Sequence, residues 1–198
     1  MSAIRLERVT GARLQELLPE LARLRIAVFR AFPYLYDGSL DYEQRYLRTY
    51  AEAAGSVIVG AFDGDTVVGA STGLPLAREP SSLTGPFVEH GFDVATVFYF
   101  GESVLLPDYR GHGTGIGFFA EREAHARALG RFTHAAFCGV VRPPDHPRRP
   151  PGYVPLDAFW RNRGFAPVPG MIGQISWRDL DESAETAKPM QFWVKALS

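Results

Sequence analysis

The stretch YRGHGTGIGFF, residues 109 to 119, sets glycines at 111, 113, 115 and 117 behind one arginine, Arg110, and at the head of an apolar run. Those residue types at that spacing suit the holding of an anion by the main chain. The opening turn of a helix carries backbone N–H groups without intrahelical acceptors, at the positive end of the helix dipole, and binds phosphate groups well. Glycines at 111, 113 and 115 allow positive φ and close approach of an anion to the backbone, and Arg110 adds charge from the side. The ligand this turn suits is a diphosphate. It is not a P-loop, which needs Gly-Lys-Ser/Thr after four residues, nor the dinucleotide fingerprint G-x-G-x-x-G, since the spacing is G-x-G-x-G-x-G. A glycine-rich turn without a ligand is the alternative, and Pro107, Arg110 and the apolar helix onset together argue against it.

A second chemical residue precedes the turn. Glu102 stands in YFGESVLL, an otherwise apolar strand, where a carboxylate is costly unless it is paired or used. Burial would raise its pKa and suit it to proton abstraction near neutral pH. Facing solvent, or pairing with an arginine, is its structural alternative. The histidines at 90, 125, 134 and 146 lack metal-site spacing such as H-E-x-x-H. Cys138, between AAF and GVV, reads as a small buried apolar residue, and one cysteine makes neither an internal disulfide nor a cysteine metal cluster.

The 198 residues fit one domain, 1–198, and 46% apolar content supplies a core. With 21 basic against 22 acidic side chains the formal net charge is -1, so no global field draws the chain to nucleic acid or to a membrane. The N-terminal MSAIRLERVTG lacks the apolar core of a signal peptide, and no apolar run reaches the roughly 20 residues that span a bilayer. Together with the lone cysteine, this predicts a soluble, cytoplasmic protein.

The elements that must position these residues follow from periodicity. Residues 2–9 alternate as a half-buried strand; 12–32 carry apolar residues at three- and four-residue steps, with Pro19 set to kink or split the helix. A second helix spans 40–53, with Asp41 as N-cap and Gly55 as stop. Two β-branched runs over 56–76 meet at Asp63-Gly64-Asp65, a hairpin signal. The sequence predicts a loop with at most one helical turn over 79–91 and one apolar strand over 96–107. A helix over 116–130 capped by Gly130, a strand over 132–142 and a Pro-rich loop over 143–155 follow. A short helix over 156–165 and a closing antiparallel pair, 172–180 with 189–197, complete the chain. The order predicts an α/β protein with a mixed sheet and helices on both faces.

SVLLPDYRGHGTGIGFF resembles the acetyl-CoA binding motif of the GCN5-related N-acetyltransferases, the GNAT superfamily: an apolar strand, a proline, then R/Q-x-x-G-x-G/A, filled here by Arg110, Gly113 and Gly115. The order of elements is similar over essentially the whole chain, and GFAPV at 164–168 resembles the family's end of the short helix. The resemblance implies a GNAT fold, mostly antiparallel, that moves an acetyl group from acetyl-CoA to a primary amine. It implies that backbone groups around Val104 and Leu105 pair with the pantetheine arm. The N–H groups of Gly111, His112, Gly113, Thr114, Gly115 and Ile116, with Arg110, would hold the pyrophosphate. The strands of 96–107 and 132–141 should splay, with the thioester in the gap.

For the chemistry, the resemblance makes Glu102 the base and a backbone N–H of Val104 or Leu105 the oxyanion donor. The family's tyrosine of the short helix is absent from DAFWRNRGF, where Phe159 and Trp160 stand; Tyr153 and Tyr99 are the substitute acids. The acceptor site falls to 29–46, rich in Phe29, Phe32, Tyr34, Tyr36, Tyr42 and Tyr46, and to the loops 79–95 and 143–155. A small-molecule acceptor is expected, because the 79–95 insertion narrows the cleft. Two other readings stand beside this one: an inactive acyl-CoA-binding sensor or partner subunit on the same fold, and a protein whose turn holds another nucleotide diphosphate. Trp177, Phe192 and Trp193 of the closing pair either form part of a homodimer interface or finish the core.

Overall fold

The computed structural model describes residues 4–197. Thirteen elements form the fold. Strand β1 (Arg5–Arg8) leads to helices α1 (Gly11–Phe29) and α2 (Leu40–Glu52), then to strands β2 (Val57–Asp63) and β3 (Thr66–Pro75). Helix α3 (Ser81–Glu89), strands β4 (Val97–Tyr99) and β5 (Ser103–Leu105), and helix α4 (Thr114–Ala128) follow. Strand β6 (His134–Val140), helix α5 (Asp157–Arg161) and strands β7 (Ala166–Trp177) and β8 (Thr186–Ala196) complete it.

The eight strands form one sheet in the order β1-β2-β3-β4-β6-β8-β7, with β5 also on β3. Only β4 and β6 run parallel. Alternate residues feed two separate cores, one on each face. Ile58, Ala136 and Phe192 join Leu14, Leu18, Leu21, Leu47, Leu83 and Phe87 of α1, α2 and α3. Val57, Val59, Phe137 and Trp193 join Phe118, Phe119 and Ala126 of α4, with Phe159 and Trp160 of α5 packed against them. The period-2 alternation of strand side chains gives this two-faced arrangement. The mixed, mostly antiparallel sheet with helices on both faces is the architecture the element order predicts. Trp177, Phe192 and Trp193 are buried within the one chain and finish its core.

Several boundaries differ from expectation. Helix α1 runs through Pro19 without a break and stops at Phe29. The N-cap of α2 is Ser39, whose hydroxyl accepts from Tyr42 N–H; Asp41 lies in the first turn. The stretch read as a loop over 79–91 holds the nine-residue α3, because Leu83 and Phe87, four apart, bury one face despite Pro86. The strand expected over 96–107 is two strands with a break at 100–102. That break shapes the site.

Candidate active site

Strand β4 pairs with β6 through Val97, Phe98 and Tyr99, and Phe100 N–H still reaches the Ala136 carbonyl at 2.8 Å. Beyond the break, β5 pairs only with β3, so a gap opens between β5 and the end of β6. Leu106 N–H bonds Val68 and Thr72 N–H bonds the Glu102 carbonyl. In an antiparallel ladder such pairs alternate. Even-numbered residues therefore bond β3, and the N–H and C=O groups of Ser103 and Leu105 face the gap. Of the two residues expected to line a pantetheine arm, Leu105 presents its backbone there, whereas that of Val104 is turned to β3. Ser103 takes the place expected of Val104.

The gap leads to the glycine turn at the start of α4. Gly111 and Gly113 have φ of +83° and +86°, the left-handed region where a side chain is strained. A Cβ at either would meet no atom within 4 Å, so conformation rather than crowding requires glycine there. Gly115 and Gly117 serve packing: a Cβ at 115 would lie 3.3 Å from Phe159 and one at 117 would lie 2.3 Å from Leu6. Helical bonding opens with Ile116 N–H on the Gly113 carbonyl at 2.9 Å, which leaves the amides of Thr114 and Gly115 at the uncapped end. Arg110 Nε donates to the Leu105 carbonyl at 3.1 Å and ties the turn to the gap-facing edge of β5. His112 is exposed.

Gap and turn open into a cavity of about 2400 Å³. Its walls include Phe29, Phe32, Tyr34, Tyr36, Tyr42 and Tyr46 from the α1–α2 region, Glu79 and Leu83, and Arg149, Tyr153 and Val154 of the Pro-rich loop. Glu102 sits on this wall in the β4–β5 break, paired on both oxygens. Oε1 lies 2.5 Å from Nη1 of Arg25, and Oε2 accepts from Tyr46 Oη at 2.8 Å. Arg25 also bonds Glu43 and lies over the Tyr46 ring at 4.2 Å. Glu102 is thus the arginine-paired carboxylate of the two readings its sequence allows, buried in a network of two carboxylates and one guanidinium.

Tyr153 packs edge-on against Phe32 at 4.7 Å and lies under Arg149 at 5.0 Å; burial raises its pKa. Tyr99 points its hydroxyl at Cys138 Sγ, 3.0 Å away. Burial pushes the Cys138 thiol up to about 12, so it stays protonated. Phe159 lies against Gly115 and Phe119, and Trp160 covers Gly139 of β6 and stacks edge-on with Phe137 and Trp193.

Two residues that sequence reading missed hold the site. Arg122 of α4 is 1% exposed. It donates to the carbonyls of Phe118, Thr72 and Glu102 and to Ser103 Oγ, at 2.8–3.3 Å, and lies 4.2 Å over the Phe100 ring. Burial lowers its pKa to about 9. Arg25 is the other. Both occupy the apolar stripe of their helix, Arg25 after Leu14, Leu18 and Leu21, and Arg122 four after Phe118. A charge on that stripe was the available signal.

No protein-family model matches the sequence, and a search of curated proteins finds no match. Solved structures do match. The ribosomal-protein-alanine N-acetyltransferase of Brucella melitensis aligns with a TM-score of 0.62 at 15% identity, over 98% of this chain and 99% of that one. yncA of Salmonella typhimurium, solved with its cofactor acetyl-CoA, aligns at 0.61 and 9% identity, over 100% and 95%. An acetyltransferase of the GNAT family from Streptococcus pneumoniae aligns at 0.58 and 10%, over 99% and 100%. The chain has the fold of the GCN5-related N-acetyltransferases. At these identities the likeness is one of fold. Among the described residues no helix is long and apolar enough to cross a membrane, and no group of three or more His, Cys, Asp or Glu could hold a metal ion.

Proposed function

We propose that the chain is an acetyl-CoA-dependent N-acyltransferase, one domain over 1–198, that moves an acetyl group to the primary amine of a small-molecule acceptor. The observation that carries this reading is the continuity of three features. A strand edge whose main-chain groups at Ser103 and Leu105 turn away from β3, with the Leu105 carbonyl taken by Arg110, runs into a positive-φ glycine turn at a helix N-terminus. Both open on a cavity walled by aromatics and carboxylates. The first would take the amide-bearing pantetheine arm as an added strand, the second the pyrophosphate, and the third the amine. Arg110, Gly111, His112, Gly113, Thr114, Gly115 and Ile116 form the diphosphate cradle in this reading, and Leu105 or Ser103 N–H meets the developing oxyanion. Tyr153, protonated at neutral pH, is the proposed donor to the leaving thiolate.

Calorimetric titration of acetyl-CoA into the wild type and Gly113→Glu tests the cradle. Binding by the wild type that vanishes in the variant is the expected result; a wild type that ignores acetyl-CoA refutes it. The second reading, a coenzyme-binding module without turnover, draws on Phe159 and Trp160, which put no phenol in α5. Release of free thiol from acetyl-CoA in the presence of amines separates the two.

A further inference from the structure

Two carboxylates of the cavity wall each hold a tyrosine hydroxyl, and their surroundings differ. Glu102 accepts from Tyr46 on one oxygen and faces Arg25 with the other. Glu79, just beyond β3, accepts from Tyr50 Oη on Oε1 at 2.7 Å, and its Oε2 takes no hydrogen bond from a described residue. The two pairs adjoin: the Tyr46 and Tyr50 rings are 5.0 Å apart. Tyr50 Oη also reaches the β4–β5 break, lying 2.3 Å from where a Cβ on Gly101 would stand. Glu79 therefore belongs to the same end of the cavity as the mouth of the gap.

Resting on the acetyltransferase reading, we propose that Glu79, rather than Glu102, receives the acceptor's ammonium group and takes its proton. Both Glu102 oxygens are already partnered, one by Arg25 and one by Tyr46. Glu79 has an open oxygen and only a neutral phenol for a partner. The groups that face it are Tyr50 and Tyr46 of α2, Tyr99 of β4, Glu102 of the break and Cys138 of β6. Among these named groups Glu102 is the one held in a salt bridge, by Arg25. Burial, and after it the charge of Glu102, raises the Glu79 pKa, while the Tyr50 hydrogen bond lowers it. A cavity end with a carboxylate that makes no salt bridge to a described residue, and with tyrosine rings beside it, selects a cation, so the acceptor class is a primary alkyl- or arylalkyl-ammonium without a carboxylate beside the nitrogen.

One ammonium proton passes to Glu79 Oε2, and the freed lone pair attacks the thioester carbonyl carbon. The C–N bond forms and the C–S bond breaks. The thiolate takes a proton from Tyr153, which recovers one from the nitrogen's second proton through solvent. Glu79 returns its proton to solvent, so acetamide, free thiol and one proton leave.

The test measures kcat against pH for the wild type and Glu79→Gln, with tyramine, n-butylamine and phenylalanine as acceptors and thiol release as the readout. Glu79→Gln keeps an oxygen for Tyr50 and should fold and bind acetyl-CoA as the wild type does. Its kcat should fall about 100-fold or more, and the acid limb of the profile should vanish. Tyramine and n-butylamine should be used and phenylalanine refused. If Glu79→Gln does not fold, Tyr50→Phe serves: loss of the hydrogen bond that favours the carboxylate should move the acid limb to higher pH. Undiminished kcat in Glu79→Gln, or an unmoved limb in Tyr50→Phe, overturns the assignment alone. A wild type that binds acetyl-CoA but acetylates none of the amines overturns the acetyltransferase reading as well.

Discussion

Nη1 of Arg122, on the helix that begins at the glycine turn, donates to the backbone carbonyl of Glu102 at 3.0 Å. This bond, with those to Thr72 and Ser103, holds open the break that separates β5 from β6. Replacing Arg122 by Met leaves these buried acceptors short of a donor. A loss of about 2–4 kcal/mol in stability is expected, measured by urea unfolding, together with weaker acetyl-CoA binding by calorimetry. Unchanged stability would remove Arg122 from the account of the gap.

At Gly113 charge and strain can be separated. A Cβ meets nothing within 4 Å, so Gly113→Ala adds only the strain of positive φ, about 1 kcal/mol. Gly113→Glu adds a negative charge at the same point. The alanine variant should keep measurable acetyl-CoA affinity and the glutamate variant should lose it, both read by calorimetry. Equal losses would assign the effect to backbone strain.

Gly101 lets Tyr50 reach the break. A methyl group there would stand 2.3 Å from Tyr50 Oη and 2.6 Å from Thr72 Oγ1, and Tyr50 is pinned by Glu79. Gly101→Ala should cost about 1–3 kcal/mol. For a chain of this length that lowers Tm by roughly 2–12 °C in a thermal melt. A melt identical to the wild type's would show that Tyr50 moves freely.

Cys138 should resist alkylation. With its thiol pushed up to about 12 by burial, fewer than about one in a thousand is ionised at pH 8.5. Iodoacetamide at that pH should leave the folded protein unmodified by intact mass, while the urea-unfolded chain gains one adduct. Rapid labelling of the folded protein would contradict the buried Tyr99–Cys138 contact.

What the sequence disclosed and what it hid divide along physical lines. Gly113 and the hairpin glycine, Gly64, were legible because positive φ is a local demand that glycine meets. So was the two-faced sheet, because the order of strands and helices along the chain calls for helices on both faces. Helix α3 was hidden because Pro80, Gly85 and Pro86 are local breakers, while the burial of Leu83 and Phe87 that offsets them is tertiary. The break in 96–107 lay behind an apolar run, and its visible marks were Gly101 and Glu102 side by side. The partners of Glu102 come from α1 and α2, 77 and 56 residues earlier in the chain, a distance no local pattern spans. Glu79 looked like a loop residue, and its role rests wholly on what surrounds it.

Among the described residues, the short β4 alone joins the β1-β2-β3 half of the sheet to the β6-β8-β7 half. Beside that junction lies the slot between β5 and β6. A coenzyme lying in the slot would act as a brace, supplying the missing rungs between β5 and β6 and coupling the halves mechanically. Ligand present at 100 times its Kd contributes about 2.7 kcal/mol to the folded state. Much of that gain should appear as slowed amide exchange in β5 and the far end of β6, the two margins that face each other across the slot.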